Sequence, residues 1–166
     1  MPISADTLRQ QLDYTTWATD LLMKAVKELT PAELTRDFGF SEKTVVGTLG
    51  HIYAADRVWL GRIQGNPPAA FITDADRDLV VLAREWPALL NQWKQWAARM
   101  SDEDVLGKLT YKSMLGGERT TPLWQIVMHV VNHGTHHRGQ VSGYLRAMGK
   151  VPPPLDLIRY YWSQES

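Results

Sequence analysis

The sequence contains no cysteine among its 166 residues. This absence excludes disulfides, thiolate metal sites and a nucleophilic thiol of the protein's own, and it agrees with a reducing compartment. Any thiol chemistry would therefore have to use an external thiol.

The sequence also lacks an excess of charge of either sign. It has 18 Lys and Arg residues against 18 Asp and Glu residues, so its formal net charge is zero. No basic run is long enough to follow a phosphate backbone. We therefore expect no nucleic-acid partner.

Long apolar runs are absent as well. No uninterrupted run approaches the roughly 18 residues that cross a membrane. The first residues, Met1 to Asp6, do not form the charged and apolar regions of a secretory signal. We expect a soluble cytoplasmic protein without a membrane partner, folded as a single domain over residues 1–166.

Apolar residues at helical spacing predict four long helices. Ser4 and Ser41 are placed to cap the first and the second helix, and Pro87 is expected to kink the third. The expected ranges are about 3–29, 42–64, 75–99 and 122–148.

The connections between these helices carry weaker signals. Thr30-Pro31 begins either a single turn or a short helix. Residues 108–112 alternate, and Gly116-Gly117 precedes a second short run, which predicts a small hairpin before the fourth helix. The whole pattern predicts an all-α four-helix bundle, a fold that commonly holds metals between facing helices.

All five histidines lie in two places. His51 stands alone in the second predicted helix, and the others are His129, His133, His136 and His137 in the fourth. Residues four apart lie about 40° from each other around a helix, so His133 and His137 point the same way and can share one divalent ion. His51 would complete a tripod with open positions.

The histidines differ in their angular positions on the predicted helices. His137 lies close to the apolar face of the fourth helix, His133 about 40° further round, and His129 and His136 towards the polar side. For His51 two interpretations remain open. Small side chains on its face would let the imidazole reach another helix, and an exposed surface histidine fits the same position.

Two further residues are candidate catalytic groups. Gln140, three residues after His137, could bond a metal-bound water or a substrate. Asp56 lies in the apolar stripe of the second helix, where an unpaired carboxylate is costly to bury. We expect Asp56 either in a salt bridge or in support of the site. Gly134 replaces the general base of the zinc-protease pattern His-Glu-x-x-His, which argues against a peptidase.

The string His133-x-x-x-His137-Arg138-Gly139-Gln140 resembles the DinB/YfiT-like superfamily of metal-dependent enzymes. The resemblance covers nearly the whole chain. It extends to Tyr14-Thr15-Thr16-Trp17-Ala18, Leu49-Gly50-His51-Ile52, Trp59, Val130-Val131-Asn132-His133, Pro153 and Asp156.

The resemblance implies a four-helix bundle that is often a homodimer. It implies that His51, His133 and His137 bind one divalent metal, and that His129 and His136 are neighbours of the site. Zinc and nickel are the expected ions, because both suit imidazole ligands.

The resemblance implies no single reaction. Relatives include thiol-dependent isomerases and S-transferases that use low-molecular-weight thiols, and damage-inducible members without an assigned reaction. We expect a metal-dependent enzyme that performs S-transfer or hydrolysis on a small molecule, with Gln140 or Asp56 positioning the nucleophile. The alternatives are a non-catalytic stress-response or ligand-sequestering dimeric bundle and a purely structural metal.

Overall fold

The computed structural model describes residues 3–114 and 116–165. In chain order, the elements are α1 (Ala5–Val26), α2 (Pro31–Thr35), α3 (Val45–Ile63), a 3-10 turn (Asp74–Arg77), α4 (Leu79–Ala98), α5 (Asp102–Leu106), β1 (Lys108–Lys112), β2 (Glu118–Pro122), α6 (Leu123–Ala147) and α7 (Leu157–Ser163). The predicted all-α bundle is confirmed, with α1, α3, α4 and α6 as its four long helices.

The four long helices bury one continuous apolar core. Helix α3 packs against α6 and α4, and α1 packs against the same two helices. Each fully buried Leu or Ile contributes about 1.5–3 kcal/mol of transfer free energy. Four of these side chains have no exposed surface, namely Leu8, Leu49, Ile52 and Leu82. This packing brings the middle of α3 against the middle of α6.

Capping side chains determine where the helices begin. The Ser4 side chain accepts from the backbone N–H of Thr7, as predicted. Helix α3 is capped by Thr44, and the predicted cap at Ser41 is wrong by three residues. Lys43 has a left-handed φ of 59°, so the helix cannot start before it. Thr30 forms a capping box, and Thr30-Pro31 therefore begins a short helix.

The third long helix begins later than expected. Residues 74–77 form a separate 3-10 turn, because Asp78 has an extended backbone (φ −108°, ψ 119°) that interrupts the helix. Asp78 then caps α4 by accepting from the N–H of Val80. Helix α4 continues through Pro87 to Ala98.

The predicted hairpin is present before α6. Strands β1 and β2 pair antiparallel from Lys108 opposite Pro122 to Lys112 opposite Glu118. Gly116 and Gly117 have φ values of 91° and 74° in the connection. Within the described ranges, no helix is long and apolar enough to span a lipid bilayer.

Candidate metal centre

Three imidazoles converge where α3 faces α6. His51 Nε2 lies 3.0 Å from His133 Nε2. The ring centroid of His137 lies 4.6 Å from that of His51 and 4.5 Å from that of His133. One nitrogen of each ring lies within 4.8 Å of the other two. The structure brings these three histidines together, and their role as metal ligands stays a prediction. The interpretation of His51 as an exposed surface histidine is wrong, because its side chain is only 20% exposed.

The geometry fits a divalent metal ion. Two nitrogens about 2.1 Å from one ion are about 3.0 Å apart at right angles and about 3.4 Å apart at the tetrahedral angle of zinc sites. The two Nε2 atoms of His51 and His133 are 3.0 Å apart, at the short end of this range. Imidazole nitrogen is a good ligand for zinc, nickel and other divalent transition metals.

Burial keeps the three rings in the neutral form that binds metal. The pKa of His133 is lowered from 6.5 to about 3, mostly by burial and also by the charges that neighbouring histidines would carry. Burial also lowers the pKa of His51, against the opposing effect of Glu42. The pKa of His137 is lowered by burial too, although its hydrogen bond to Gln140 opposes this. Little proton release is therefore needed for metal binding at neutral pH.

Two side chains orient the rings. His137 Nδ1 lies 2.8 Å from Gln140 Oε1. Because an amide oxygen only accepts, Nδ1 carries the proton and Nε2 is left with its lone pair. In the turn before α3, Glu42 Oε1 lies 3.4 Å from His51 Nδ1 and favours the same tautomer. His133 Nδ1 is buried and has no hydrogen-bond partner within the described ranges.

Gln140 thus occupies a different place from the one expected. Its Oε1 atom accepts from His137, and its Nε2 atom lies 3.3 Å from His136 Nε2. Both polar ends of the amide therefore contact histidines of α6. The expected contact of Gln140 with a bound water or substrate stays a prediction.

Asp56 lies in the core, with its hydrogen bonds directed at α4. Its Oδ2 atom accepts from Trp86 Nε1 at 2.9 Å, and its backbone oxygen accepts from Trp93 Nε1 at 3.1 Å. Burial raises its pKa from 3.8 to about 7, although the Trp86 hydrogen bond and the Arg138 charge oppose the rise. The expected salt bridge is absent from the described residues, where an indole takes its place. A catalytic role for Asp56 stays a prediction.

The other two histidines flank the centre. The His129 ring centroid lies 5.8 Å from that of His133 and 5.5 Å from that of Trp59. The exposed His136 ring lies 4.9 Å from His137. Neither belongs to the group of three whose nitrogens converge.

Gly134 has a packing explanation. A Cβ on this residue would lie 2.8 Å from Nη1 of Arg138. The Arg138 side chain is 1% exposed, and its guanidinium donates to Thr19 Oγ1 and Thr135 Oγ1. The position that carries the general base in zinc proteases therefore makes room here for a buried arginine.

Two residues near His51 escaped sequence analysis. Glu42 lies in the turn before α3, and Phe71, whose ring centroid is 5.4 Å from that of His51, lies in the connection to α4. Neither connection has a periodicity that would indicate its contacts. The only visible signal is the capping-box spacing Thr73-x-x-Asp76, which marks the turn after Phe71.

Comparisons with known proteins identify the family and the fold. The model of the DinB family matches residues 1–166. Protein DinB of Bacillus subtilis (strain 168) is 23% identical over 154 residues, which cover 89% of this chain and 90% of that protein. The crystal structure of a DinB-like protein from Bacillus cereus ATCC 10987 has the same fold, with a TM-score of 0.61 and 20% identity over 93% of this chain and 99% of that one. Because the family model spans every residue, the chain belongs to the DinB family.

Proposed function

We propose that this protein is a metal-dependent enzyme that performs S-transfer from a low-molecular-weight thiol, or hydrolysis, on a small molecule. One observation carries the proposal. The cluster of converging ligands within the described residues contains three histidines and no fourth His, Cys, Asp or Glu. Structural zinc sites have four protein ligands, whereas catalytic sites have three and an open position.

The residues around the centre have distinct tasks. A zinc or nickel ion, when bound, would acidify a water or thiol at its open positions. Gln140 holds His137, and Glu42 holds His51, with the ligand nitrogens facing each other. Phe71 packs against the His51 ring in a T-shaped arrangement, with the ring centroids 5.4 Å apart. Because the sequence has no cysteine, the thiol must come from solution.

Metal content tests the ligands. Tag-free wild-type protein is compared by elemental analysis with His133→Ala and His137→Ala, with His129→Ala as a matched control on the same helix. We expect about one zinc or nickel ion per chain in wild type and in the control, and a loss of most of it in the two ligand variants. Equal and negligible metal in all four proteins would reject the proposal.

Turnover tests catalysis. Thiol consumption with a panel of electrophiles, and hydrolysis of a panel of esters, are measured with and without a chelator. We expect turnover that the chelator abolishes and that added metal restores. A large fall in melting temperature on chelation without turnover would instead assign a structural metal. Ligand binding without turnover would assign the sequestering function.

We also propose that the protein is a homodimer. Ile158 and Trp162 of α7 and Val151 of the connection before it have exposed apolar side chains, and contiguous exposed apolar surface is typical of protein interfaces. Sedimentation equilibrium should give twice the mass of one chain. A monomer at micromolar concentration would reject this proposal.

A further inference from the structure

A groove lies between the end of α3, the connection that follows it and the hairpin. Its volume is about 500 Å³, within the range of small-molecule sites. Its walls are formed by Val58 and Arg62 of α3, Phe71 of the connection, and Tyr111 and Lys112 of β1.

The groove adjoins the candidate metal centre. Phe71 lines the groove, and its ring centroid is 5.4 Å from that of His51. Val58 and Arg62 follow His51 by seven and eleven residues in α3, so each lies within about 20° of His51 around the helix axis. At 1.5 Å per residue, Arg62 is roughly 16 Å along the helix from His51. One strip of α3 therefore runs from the metal ligand to the arginine.

The charge of the groove is of one sign. Arg62 and Lys112 line it, and no Asp or Glu does within the described ranges. This asymmetry is local, because the whole chain has no net charge. Most of the remaining wall is apolar, with Val58, Phe71 and Tyr111 among its residues.

Contacts fix the position of Arg62 at the end of the groove that is distant from His51. Its guanidinium carbon lies 4.6 Å from the ring centroid of Trp59 and 4.9 Å from that of Tyr111. Its Nη2 atom donates to the Lys112 carbonyl oxygen at 3.1 Å. A guanidinium has five N–H donors, so this contact leaves others for a ligand, and carboxylates suit its planar geometry.

We propose that this groove binds an elongated organic anion as the substrate of the metal centre. The carboxylate, or a similar anionic group, pairs with Arg62, and an apolar body lies along Val58 between Phe71 and Tyr111. The opposite end of the molecule reaches the histidines. This inference rests on the proposed function, and it adds the chemical class of the substrate.

Binding to metal-free protein tests the groove independently of the metal. The probes are 6-phenylhexanoate and its neutral amide, and dissociation constants are measured by calorimetry. We expect wild type to prefer the acid about tenfold, because a charge-assisted hydrogen bond is stronger than a neutral one. Arg62→Gln should bind acid and amide equally. Arg62→Lys should regain part of the preference, and the exposed Arg84→Gln should behave as wild type.

The outcomes separate the two proposals. Three results would each overturn the proposed anion site, whatever the metal content. Wild type could bind acid and amide equally, it could bind neither probe, or the acid preference could persist in a folded Arg62→Gln variant. Melting temperatures show whether a variant has folded. If Arg62→Gln has not folded, the acid preference of Arg62→Lys tests the site, and a preference equal to that of wild type would overturn it. Negligible metal in wild-type protein together with an intact preference for the acid would reject the proposed enzyme but keep the anion site.

The orientation has its own readout. With Mn²⁺ added to wild-type protein, the phenyl protons of bound 6-phenylhexanoate should broaden more than the methylene protons beside the carboxylate. The opposite gradient would place the carboxylate at the histidines and overturn the proposed orientation. His133→Ala with the same Mn²⁺ concentration is the control for non-specific broadening.

Discussion

The backbone carbonyl oxygen of Asp76 lies against the Cα of Gly50, in the space that a Cβ on residue 50 would occupy. Arg57 holds the Asp76 carboxylate with two hydrogen bonds of 2.8 Å, and it donates to the Phe71 carbonyl oxygen at 3.3 Å. The connection between α3 and α4 thus packs directly against the helical turn that contains His51.

Replacing Gly50 should therefore disturb both stability and the metal centre. In Gly50→Ala the new Cβ meets a backbone atom that can only move with its connection, and we expect a loss of about 1–3 kcal/mol in the free energy of unfolding. This loss outweighs the helix propensity of alanine, which favours the variant by about 1 kcal/mol. Urea unfolding of metal-free protein measures the change.

Gly143→Ala is the matched control. Gly143 is an exposed residue inside α6, and a Cβ there would meet nothing within 4 Å. This variant should be unchanged or more stable by up to about 1 kcal/mol. If both alanine variants were equally stabilised, the close packing at Gly50 would be wrong.

Gln140 should control metal affinity through His137. Gln140→Ala removes the acceptor of the Nδ1 proton, and loss of such a partner typically costs 10–100-fold in metal affinity, so we expect a loss of about that size. Gln140→Glu keeps an acceptor and should retain the affinity. Competition with a chromophoric chelator gives the dissociation constants.

The same variant separates a positioning role from a catalytic one. At saturating metal, Gln140→Ala should recover the turnover of wild type if the residue acts only through His137. A kcat that stays low at full metal occupancy would show that Gln140 contacts the reacting groups. His136→Ala serves as the control, because His136 contacts Gln140 but lies outside the converging group.

Much of the fold could be predicted from the sequence, because each long helix has an apolar face that repeats every turn. The errors lie at the helix ends. Ser41 and Thr44 are both favoured cap residues, and the left-handed backbone of Lys43 decides between them. Asp78 similarly breaks a pattern that continues without interruption in the sequence. Such local backbone choices depend on contacts that periodicity does not encode.

The site likewise contains residues that the sequence predicts and residues that only packing brings together. His133 and His137 follow from their spacing on one helix, whereas His51 depends on how α3 is rotated against α6, which its own wheel leaves open. Glu42 and Phe71 belong to connections, and only packing brings them to His51. The apolar stripe of the second helix predicts that Asp56 is buried, but its partner, the indole of Trp86, lies on another helix.

The metal-free protein should lose stability in acid through its buried histidines. The pKa of His133 is lowered from 6.5 to about 3, mostly by burial, so the unfolded chain binds a proton in a pH range where the folded state does not. The free energy of unfolding should then fall as pH decreases below about 6.5. His133→Gln should flatten this dependence more than His136→Gln does, because His136 is exposed and affects the pKa of His133 only through its charge. Urea unfolding between pH 4 and pH 8 measures the slopes, and an unchanged slope in His133→Gln would contradict the prediction.

Asp56 should have the opposite pH dependence. Burial raises its pKa from 3.8 to about 7, so the folded state keeps a proton that the unfolded chain releases. The free energy of unfolding should therefore fall as pH rises through this window, by up to about 4 kcal/mol. Asp56→Asn cannot ionise, and its amide oxygen still accepts from Trp86 Nε1. The stability of Asp56→Asn relative to wild type should thus increase between pH 4 and pH 8, while Asp20→Asn, at an exposed position of α1, should show no such trend. A relative stability that stays constant with pH would mean that Asp56 is ionised throughout, and that the Arg138 charge outweighs the cost of burying the carboxylate.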